Sequence, residues 1–480
     1  MNLQNIMCTE QSTFADLLAM ADREKSKLFL IVNEKLVLIG IMTDGDIRRA
    51  ELRGIPYDTP VTFLMNRSFV SLTEADAGKT LNLDSRINQI PILDKNGCVV
   101  GITSFLHDKM IPVASPSLNG NEGKYVAECI KTQWISSQGS FVTEFEKMFS
   151  SMFENFYALT TSNGTTALHL ALVALGIGKG DDVIVPASTF AATANTVVHA
   201  GANPVFVDVL PDTWCIDPVQ VRLAITPKTK AIIPVHLYGH PADMEELTKI
   251  AHEFNLKLVE DCAESLGAKL HNRPTGVFGD AGCFSFFANK IITTGEGGMV
   301  ICHDKQLYTK MRQLRDHGTS FQRRYWHDVI GYNYRLTNIQ AAIGLAQIEQ
   351  LNKFLSRRKR VAKVYSERLS QIPGISLPPQ STNTYENIYW LYSIKIDSDI
   401  VGMCRDNLQL ALQKYGIDSR PFFPALPHQP AFSAYKKLPF PNALNLEKNA
   451  LSLPGGNAFT EKDAHYVCDT LIEIISKRLE

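Results

Sequence analysis

The stretch from Gly279 to Met299 reads GDAGCFSFFANKIITTGEGGM and contains a single lysine, Lys290. The apolar residues before the lysine predict a short buried strand, Cys283–Phe287. The glycines after it predict a turn, Thr293–Gly298, in which the backbone can approach a ligand closely. A lysine at such a boundary is poorly solvated, and desolvation favours its neutral, nucleophilic amine. Lys290 is therefore a candidate nucleophile, although a surface lysine between a strand and a loop would show the same local pattern.

The residues around this stretch alternate between helical and strand-like patterns, which predicts a mainly parallel sheet covered by helices, an α/β fold. Ligands of such sheets collect beyond the carboxyl ends of the strands. A long helix beginning after Leu336 leads to a smaller C-terminal α+β part that contains the strand Trp390–Asp397. The strands of the main sheet are predicted at Tyr157–Ser162, Asp182–Pro186, Asn203–Asp208, Lys230–His236 and Lys257–Asp261.

The composition is typical of a globular protein with more than one domain. The 480 residues exceed what one hydrophobic core usually serves, and a net charge of −1 gives no reason to expect nucleic acid or a membrane surface as a partner. No apolar run approaches the roughly 20 residues that span a bilayer. The nine cysteines occur singly, without a CxxC pair, and the first residues lack a secretory pattern. We therefore expect a reduced, cytoplasmic protein without a metal site.

Two further stretches carry groups that suit a phosphorylated, cationic ligand. Thr161–Leu170, TSNGTTALHL, predicts a strand, a turn and a helix start, where exposed amides and threonine hydroxyls suit a phosphate. Asp261 ends an apolar strand, where an unpaired carboxylate is costly and needs a cationic partner. A protonated pyridine nitrogen would serve as that partner.

Aromatic and polar residues complete this set. Phe190 follows a strand and can cover a flat ring, Ser285 precedes Lys290 by five residues, and Asn333 and Arg335 lie in an aromatic turn before a helix. Together these groups make the inventory of a pyridoxal phosphate site. A dinucleotide site fits worse because no GxGxxG follows a strand, and the P-loop pattern GxxxxGK[ST] does not occur.

The first 110 residues contain an internal repeat. Lys27–Asp46 and Gln89–Phe105 each predict strand, turn, strand and short helix. The repeat resembles a CBS-domain pair, whose GxxTxxD pattern occurs here as Gly40, Thr43 and Asp46. The resemblance implies that Thr43 and Asp46 contact an adenosine ribose, while the basic residues that follow, Arg48 and Arg49, face its phosphates.

The second copy departs from that pattern, since Gly101 is followed by Ser104 and His107 without the aspartate. One nucleotide site is therefore expected at most, and a dimerisation module without a ligand fits the sequence equally well. A linker around Lys109–Asn121, with prolines and serines, separates the pair from the rest. We divide the chain into residues 1–110 (CBS pair), 111–365 (large, cofactor-binding domain) and 366–480 (small C-terminal domain).

The chain from about Ile111 onwards resembles the DegT/StrS family of sugar-nucleotide aminotransferases. The motifs that carry the resemblance are SNGTTALHLA, PVHLYGHPADM, VEDCAESLGA, FSFFANKIITTGEGGM and RYWHDVIGYNYRLTNIQAAIGLAQIEQL. It implies an aspartate-aminotransferase-like fold (PLP fold type I) and pyridoxal 5'-phosphate as cofactor, with pyridoxamine phosphate as the intermediate form. Glutamate would be the amino donor and a nucleotide-linked ketosugar the acceptor. NKIITTGEGGM, RYWHDVIGYNYR and SRPFFPALPHQP look most similar to the branch that aminates GDP-4-keto-6-deoxymannose for O-antigen or other surface polysaccharides.

The resemblance also implies roles for single residues. Lys290 would bond the cofactor aldehyde, Asp261 would contact the pyridine nitrogen, and Glu264 would lie near the ring hydroxyl, a place often held by glutamine or histidine. Phe190 would stack on the ring. The phosphate would be bound by Thr165, Thr166 and Ser285, with Asn333 reaching it from a neighbouring subunit. That last contact implies a homodimer with two shared active sites.

The acceptor is less well specified than the cofactor. A UDP-linked 4-keto-6-deoxy-HexNAc aminotransferase is the main alternative, because such enzymes share much of NKIITTG and GYNYR. A deoxysugar dehydratase of this fold has histidine in place of the lysine, and a nucleotide-sensing regulatory protein would leave the cofactor residues without a purpose. The residues expected near the sugar nucleotide are His236, Tyr238, Arg324, Trp326, His327, Arg420, Phe422 and His428.

Overall fold

The computed structural model describes residues 3–24, 28–73, 89–103, 110–435 and 439–479. The chain divides into two compact units, Met1–Met110 and Ile111–Glu480. Within the described ranges, no helix is both long and apolar enough to cross a membrane.

The first unit contains two three-stranded sheets with one common arrangement. In each sheet the first strand is parallel to the second, and the second is antiparallel to the third with a register shift near its end. The sequence repeat is therefore a structural repeat. The strands are β1 (Met7–Thr9), β2 (Leu28–Val32) and β3 (Leu38–Thr43), then β4 (Leu72–Thr73), β5 (Ile90–Leu93) and β6 (Val99–Thr103), and the helices are α1 (Phe14–Glu24) and α2 (Asp44–Leu52).

The hairpin turns of the two copies are built alike and contact each other. The Asn33 Oδ1 atom accepts a bond from the Val37 amide, and the Asp94 Oδ1 atom accepts one from the Cys98 amide, four residues on in each case. A β-bridge joins Val37 to Cys98. The two copies are thus connected turn to turn.

The second unit is organised around a seven-stranded sheet. Its order is β7-β15-β14-β11-β10-β8-β9, and only β15 runs against the others. The strands are β7 (Tyr157–Thr161), β8 (Asp182–Pro186), β9 (Asn203–Val207), β10 (Thr229–Ile232), β11 (Lys257–Asp261), β14 (Ala281–Ser285) and β15 (Gly298–Cys302), with the short strands β12 (Lys269–Leu270) and β13 (Arg273–Pro274) beside them.

Helices cover this sheet, as expected for strands that are buried on both faces. Buried aliphatic residues of β8, β10, β11 and β15 lie in one continuous apolar core with those of the helices. The helices are α3 (Glu122–Thr132), α4 (Ser140–Ser150), α5 (Gly164–Ala174), α6 (Ala192–His199), α7 (Pro218–Ala224), α8 (Met244–Glu253), α9 (Lys305–Arg315) and α10 (Asn338–Ile348).

The C-terminal part has its own core around a four-stranded antiparallel sheet of order β16-β18-β20-β19. Its strands are β16 (Ile375–Ser376), β18 (Tyr392–Ile396), β19 (Arg420–Pro421) and β20 (Ala450–Leu453), while β17 (Tyr385–Glu386) pairs with β12. Its helices are α11 (Leu351–Leu369), α12 (Ser398–Val401), α13 (Arg405–Lys414), α14 (Pro441–Asn449) and α15 (Glu461–Leu479).

The expected fold class is confirmed, but several boundaries were wrong. The long helix after Leu336 is two helices, α10 and α11, because the chain turns at Glu349–Gln350, where Glu349 is held by Asn121 at 2.7 Å. The strand predicted to reach His236 ends at Ile232. The strand predicted before Lys290 at Cys283–Phe287 spans Ala281–Ser285. The strand predicted at Trp390–Asp397 spans Tyr392–Ile396.

The carboxyl ends of three strands and the start of a fourth meet at one edge of the large sheet. Ser285 of β14 pairs with Gly298 of β15, and Gly298 also pairs with Thr161 of β7. A Cβ atom on Gly298 would lie 2.5 Å from the Asn163 carbonyl, so only glycine allows this approach. Asp261 ends β11 at the same edge. This edge therefore carries the candidate site.

Candidate active site

A cavity of about 460 Å³ opens at that edge of the sheet. It is bounded by the start of α5, the loops after β8 and β11, the β14–β15 connection and residues of the C-terminal part. Its lining residues are Asn163, Gly164, Thr165, Leu168, Thr189, Phe190, Ala192, Val235, Asp261, Ala263, Glu264, Ser285, Phe287, Asn289, Lys290, Glu296, Trp390, Arg420 and Phe423.

Lys290 lies in the β14–β15 connection with its amine inside the cavity. The Nζ atom is 3.5 Å from Glu264 Oε1 and 3.5 Å from the centroid of the Trp390 ring, and the side chain is only 12% exposed. Burial lowers the pKa of Lys290, while the nearby carboxylates of Glu264 and Asp261 oppose that shift. Desolvation is the larger effect, so the neutral amine is more accessible than in an exposed lysine.

Asp261 is a buried carboxyl group with neutral hydrogen-bond donors around it. Its Oδ2 atom accepts a bond from Thr193 Oγ1 at 2.8 Å, and its Oδ1 atom accepts one from the Ala263 amide at 3.1 Å. Burial raises its pKa even though these donors and Lys290 lower it. A ligand cation at this position would remove the cost of the buried charge.

Glu264 lies between the lysine and the backbone of the loop after β10. Its Oε2 atom accepts a bond from the Tyr238 amide at 2.9 Å, and its Oε1 atom faces Lys290. Burial raises the pKa of this carboxyl group as well. Two buried acids therefore share one lysine in this cavity.

The start of α5 lies opposite Ser285 and is suited to bind an anion. Asn163 caps the helix by accepting a bond from the Thr166 amide at 2.8 Å, and Thr166 Oγ1 donates to the Asn163 carbonyl at 2.8 Å. Gly164 and Thr165 line the cavity, whereas the Thr166 hydroxyl is engaged in the cap. The first-turn amides of a helix favour a phosphate at this position.

Phe190 is an aromatic residue at the mouth of the cavity. It is 60% exposed, and its ring centroid lies 6.0 Å from that of Phe423. An exposed aromatic ring beside buried acids is suited to cover a flat ligand.

Of the eight residues predicted to lie near a sugar nucleotide, only Arg420 lines this cavity. His236 is fully buried, and both of its ring nitrogens are engaged. The Nε2 atom lies 3.0 Å from Glu260, and the Nδ1 atom accepts a bond from the Ala242 amide. Tyr238 and Phe422 are buried against each other, with ring centroids 4.8 Å apart. These three side chains have structural contacts instead of a place in the cavity wall.

The remaining predicted residues are exposed and lie outside the cavity of their own chain. Asn333 accepts a bond from Arg335 Nε at 3.2 Å, and His327 contacts the His317 carbonyl through Nδ1 at 2.9 Å. Arg324, Trp326 and His428 are exposed as well. A single chain therefore does not bring these residues to Lys290.

Sequence reasoning missed Trp390, Phe423, Asn289 and Glu296 as cavity residues. Trp390 is 101 residues from Asn289 along the chain, yet its Nε1–H donates to the Asn289 carbonyl at 2.9 Å. Its predicted place as the first residue of the strand Trp390–Asp397 gave no sign of this contact. Tertiary packing alone places it beside the lysine.

In the first unit, the residues of the GxxTxxD pattern contact one another. The Thr43 hydroxyl donates to Asp46 Oδ2 at 2.7 Å, and the Asp46 amide donates back to Thr43 Oγ1, a capping box at the start of α2. Arg48 pairs with Asp44 at 2.5 Å. A Cβ atom on Gly40 would lie 2.4 Å from the Met65 sulfur, so packing explains the glycine. Ser104 and His107 lie outside the described residues.

The desolvated lysine, the buried acid in need of a cation and the helix start opposite Ser285 fit pyridoxal phosphate. With the mainly parallel sheet, they define a pyridoxal-phosphate-dependent enzyme of the aspartate-aminotransferase type. Residues 116–472 match the DegT/DnrJ/EryC1/StrS aminotransferase family, and the chain belongs to this family. It is therefore an aminotransferase, and its cofactor is pyridoxal 5'-phosphate.

Several proteins resemble this chain over 61% to 77% of its length. The chain is 43% identical to GDP-perosamine synthase of Escherichia coli O157:H7 (77% of this chain, 100% of the relative) and 44% identical to GDP-perosamine synthase of Caulobacter vibrioides (76% and 98%). A UDP-N-acetyl-3-dehydro-alpha-D-glucosamine 3-aminotransferase of Acidithiobacillus ferrooxidans is 43% identical (61% and 77%). The solved aminotransferase of Psychrobacter cryohalolentis superposes with a TM-score of 0.73 at 30% identity (76% and 99%).

The family match does not include the first unit. The match to the Escherichia coli protein spans all of that relative but only 77% of this chain. The family match likewise begins at residue 116. The first unit is thus an addition to a complete aminotransferase unit.

Proposed function

We propose that this protein transfers the amino group of glutamate to GDP-4-keto-6-deoxymannose and so forms GDP-perosamine. The observation that carries the proposal is Lys290, a desolvated lysine between Asp261, Glu264 and Trp390, in a chain that has GDP-perosamine synthases among its relatives. The product would serve a cytoplasmic step of O-antigen or other surface polysaccharide synthesis.

The residues of the cavity have separate tasks in this reaction. When bound, pyridoxal phosphate supplies an electron sink for the carbanion at the donor's α-carbon. Asp261 would keep the pyridine nitrogen protonated, and the start of α5 and Ser285 would hold the phosphate. Lys290 would take the proton from the α-carbon of glutamate as a base and return it as an acid to the cofactor carbon on the other side of the amino nitrogen. Water would then release 2-oxoglutarate, and the nitrogen would stay with the cofactor. The sugar ketone is then aminated by the reverse sequence of proton movements.

The lysine also argues against a dehydratase. Dehydratases of this fold, by the resemblance described above, carry histidine in place of the lysine. Lys290 faces the cavity with its amine beside Glu264, which suits a group that must move a proton twice. Amination is therefore the chemistry that the site supports.

We also propose a homodimer in which Asn333 completes the partner's phosphate site. Asn333 is exposed and lies outside the cavity of its own chain. The nearby segment 321–330 exposes large apolar side chains, among them Tyr325 at 82% and Ile330 at 94%. An interface would bury them and bring Arg324, Trp326 and His327 towards the partner's cavity.

For the first unit we propose a CBS pair that binds a purine nucleotide through Thr43, Asp46 and Arg48 and regulates the enzyme. Its support is the structural repeat and the phosphate-capable start of α2. The capping box is equally compatible with a module that only dimerises. Calorimetry with AMP, ATP and GDP should detect binding that Asp46→Ala weakens. No binding, together with unchanged kinetics and dimerisation after deletion of residues 1–110, would refute both roles.

The acceptor is tested by converting the enzyme to its aminated form with glutamate and then adding GDP-, UDP- or dTDP-linked 4-keto-6-deoxy sugars separately. We expect the GDP sugar to restore the original visible absorbance fastest. The related UDP-sugar 3-aminotransferase favours a second candidate, a UDP-linked 4-keto-6-deoxy-HexNAc acceptor. Faster recovery with the UDP sugar would replace the first candidate by the second.

A further inference from the structure

The segment that carries Lys290 is held on both sides by donors from the C-terminal part of the chain. The Trp390 Nε1–H donates to the Asn289 carbonyl at 2.9 Å, and the Asn457 Nδ2–H donates to the Ile291 carbonyl at 2.7 Å. These two carbonyls belong to the residues directly before and after Lys290. Trp390 and Asn457 are 4% and 1% exposed, so water does not compete for either bond.

A buried arginine ties the two donors together. Arg358, on α11, donates from Nε to Asn457 Oδ1 at 3.0 Å and from Nη1 to the Trp390 carbonyl at 2.8 Å. It is 2% exposed, and burial lowers its pKa to about 10. In the part of the chain that the structure describes, no carboxylate lies within salt-bridge distance of it. A buried guanidinium without an acid is costly. Here it donates to the two residues that hold the lysine segment, Asn457 and Trp390, and more distantly, at 3.4 Å, to the Tyr389 carbonyl.

We infer that Arg358, Asn457 and Trp390 form a clamp that fixes residues 289–291 and thereby aims the Lys290 amine into the cavity. Arg358 and Asn457 lie outside the cavity wall and act as positioning residues. Trp390 belongs to the clamp through its indole N–H and faces the amine with its ring. The inference rests on the proposed function, because that function gives Lys290 its task.

The clamp matters because a lysine side chain is long and flexible. Its amine must stay near Glu264 and out of water while its backbone lies in a turn between β14 and β15. A misplacement of about 1 Å can cost roughly a hundredfold in rate. The two hydrogen bonds to the carbonyls of Asn289 and Ile291 restrict the backbone motion that would misplace the amine. The clamp also connects the C-terminal core, through α11, to the reacting lysine.

The test uses Asn457→Ala and Trp390→Phe, each of which removes one donor to the lysine segment. Trp390→Phe keeps an aromatic ring beside the amine, so it isolates the lost bond. The matched control is Asn387→Ala. Asn387 is also a buried asparagine, 2% exposed, with its Nδ2–H on the Pro379 carbonyl at 2.8 Å, but it does not touch the lysine segment.

The readout is the borohydride trapping of pyridoxal phosphate on Lys290 as a function of pH, located by peptide mass spectrometry, together with the melting temperature. For Asn457→Ala and Trp390→Phe we expect trapping at pH 7 to fall about tenfold and its pH midpoint to rise, because water reaches a loosened amine. Glu264 and Asp261 are the charged groups that face Lys290, and both remain in every variant. Asn387→Ala should lower the melting temperature comparably and trap cofactor like the wild type.

The outcomes separate the clamp from the function on which it rests. Wild-type trapping in both donor variants, with only a lower melting temperature, would overturn the clamp and leave the proposed function standing. No trapping at Lys290 in the wild type would overturn the proposed function and the clamp together. Arg358→Lys provides a further check. It keeps the charge but loses the fork that reaches Asn457 and the Trp390 carbonyl together, so it should shift the midpoint in the same direction.

Discussion

At the scale of single residues, the site depends on placing three largely buried ionisable groups in one cavity. Burial lowers the pKa of Lys290 and raises those of Asp261 and Glu264, so each group is pushed towards its neutral form. A bound cofactor with a cationic ring nitrogen and an anionic phosphate would restore charges to this cavity. The site residues thus control the balance between the neutral and the charged forms of Lys290, Asp261 and Glu264.

Asp261→Asn should separate function from stability. Turnover should fall by about a hundredfold or more, because the counter-charge of the ring nitrogen is lost. The cofactor-free variant should be at least as stable as the wild type in urea at pH 7. A carboxyl group whose folded-state pKa is raised costs stability once the pH passes its unfolded pKa, and that cost persists at neutral pH. Near-normal turnover, or a clear loss of stability, would contradict this assignment.

Lys290 should react with pyridoxal phosphate at a lower pH than an ordinary lysine. The free amine of an exposed lysine forms near pH 10.4, whereas burial lowers the pKa of Lys290. We expect the midpoint of borohydride trapping at Lys290 to lie below that of the exposed Lys363, measured in the same samples. A midpoint at or above that of Lys363 would show that the carboxylates outweigh desolvation.

At the scale of elements, the sequence predicted those parts of the site that lie at the ends of predicted strands. Asp261 ends its strand, as the strand pattern predicted. Ser285 was predicted in the middle of the strand Cys283–Phe287 but ends β14 in the structure, so the strand pattern alone did not place it beside Asp261. Trp390, Arg358 and Asn457 reach the lysine only through tertiary packing, and no local pattern reveals such contacts. The two helices after Leu336 were predicted as one because the turn at Glu349–Gln350 depends on contacts with α3.

The start of α5 allows a sharp test of the anion site. A Cβ atom at Gly164 would lie 2.8 Å from the Ser285 Cβ atom, which cannot move without the strand. Gly164→Ala should therefore widen the gap between α5 and β14, cost roughly 1–3 kcal/mol and weaken cofactor binding. The control is Gly123→Ala, in α3, where no atom lies within 4 Å of the added Cβ. Equal cofactor dissociation constants in equilibrium dialysis for both variants would argue against a phosphate at this helix start.

At the scale of the whole molecule, the chain combines a complete aminotransferase unit with a separate repeat unit. Of the residues predicted near the substrate, four are exposed away from the cavity and three are buried elsewhere, while Arg420 lines it. The sequence motifs indicated which stretches lie near the substrate, but not which side chains of those stretches face the cavity. The four exposed residues would contribute to a substrate site only if a second copy of the chain brought them to its own cavity.

Hybrid dimers should reveal such sharing. Lys290→Ala should be inactive, and Asn333→Asp should be nearly so, because it places a negative charge against the partner's phosphate. When the two variants are unfolded, mixed and refolded together, hybrid dimers should recover turnover at one site of each pair. Refolding each variant alone is the control. No recovery in mixtures shown to contain hybrid dimers would mean that each chain builds its site alone.

The central claim is that this enzyme transfers an amino group from glutamate to a nucleotide-linked ketosugar and that Lys290 moves the proton in that transfer. The most direct measurement follows the atom itself. The enzyme is incubated with glutamate bearing a heavy-nitrogen amino group and with GDP-4-keto-6-deoxymannose, and the sugar nucleotide is weighed by mass spectrometry. The account predicts heavy nitrogen in the sugar with the wild type, and at least about a thousandfold less with folded Lys290→Ala. An unlabelled sugar with the wild type, or equal labelling by the variant, would contradict it.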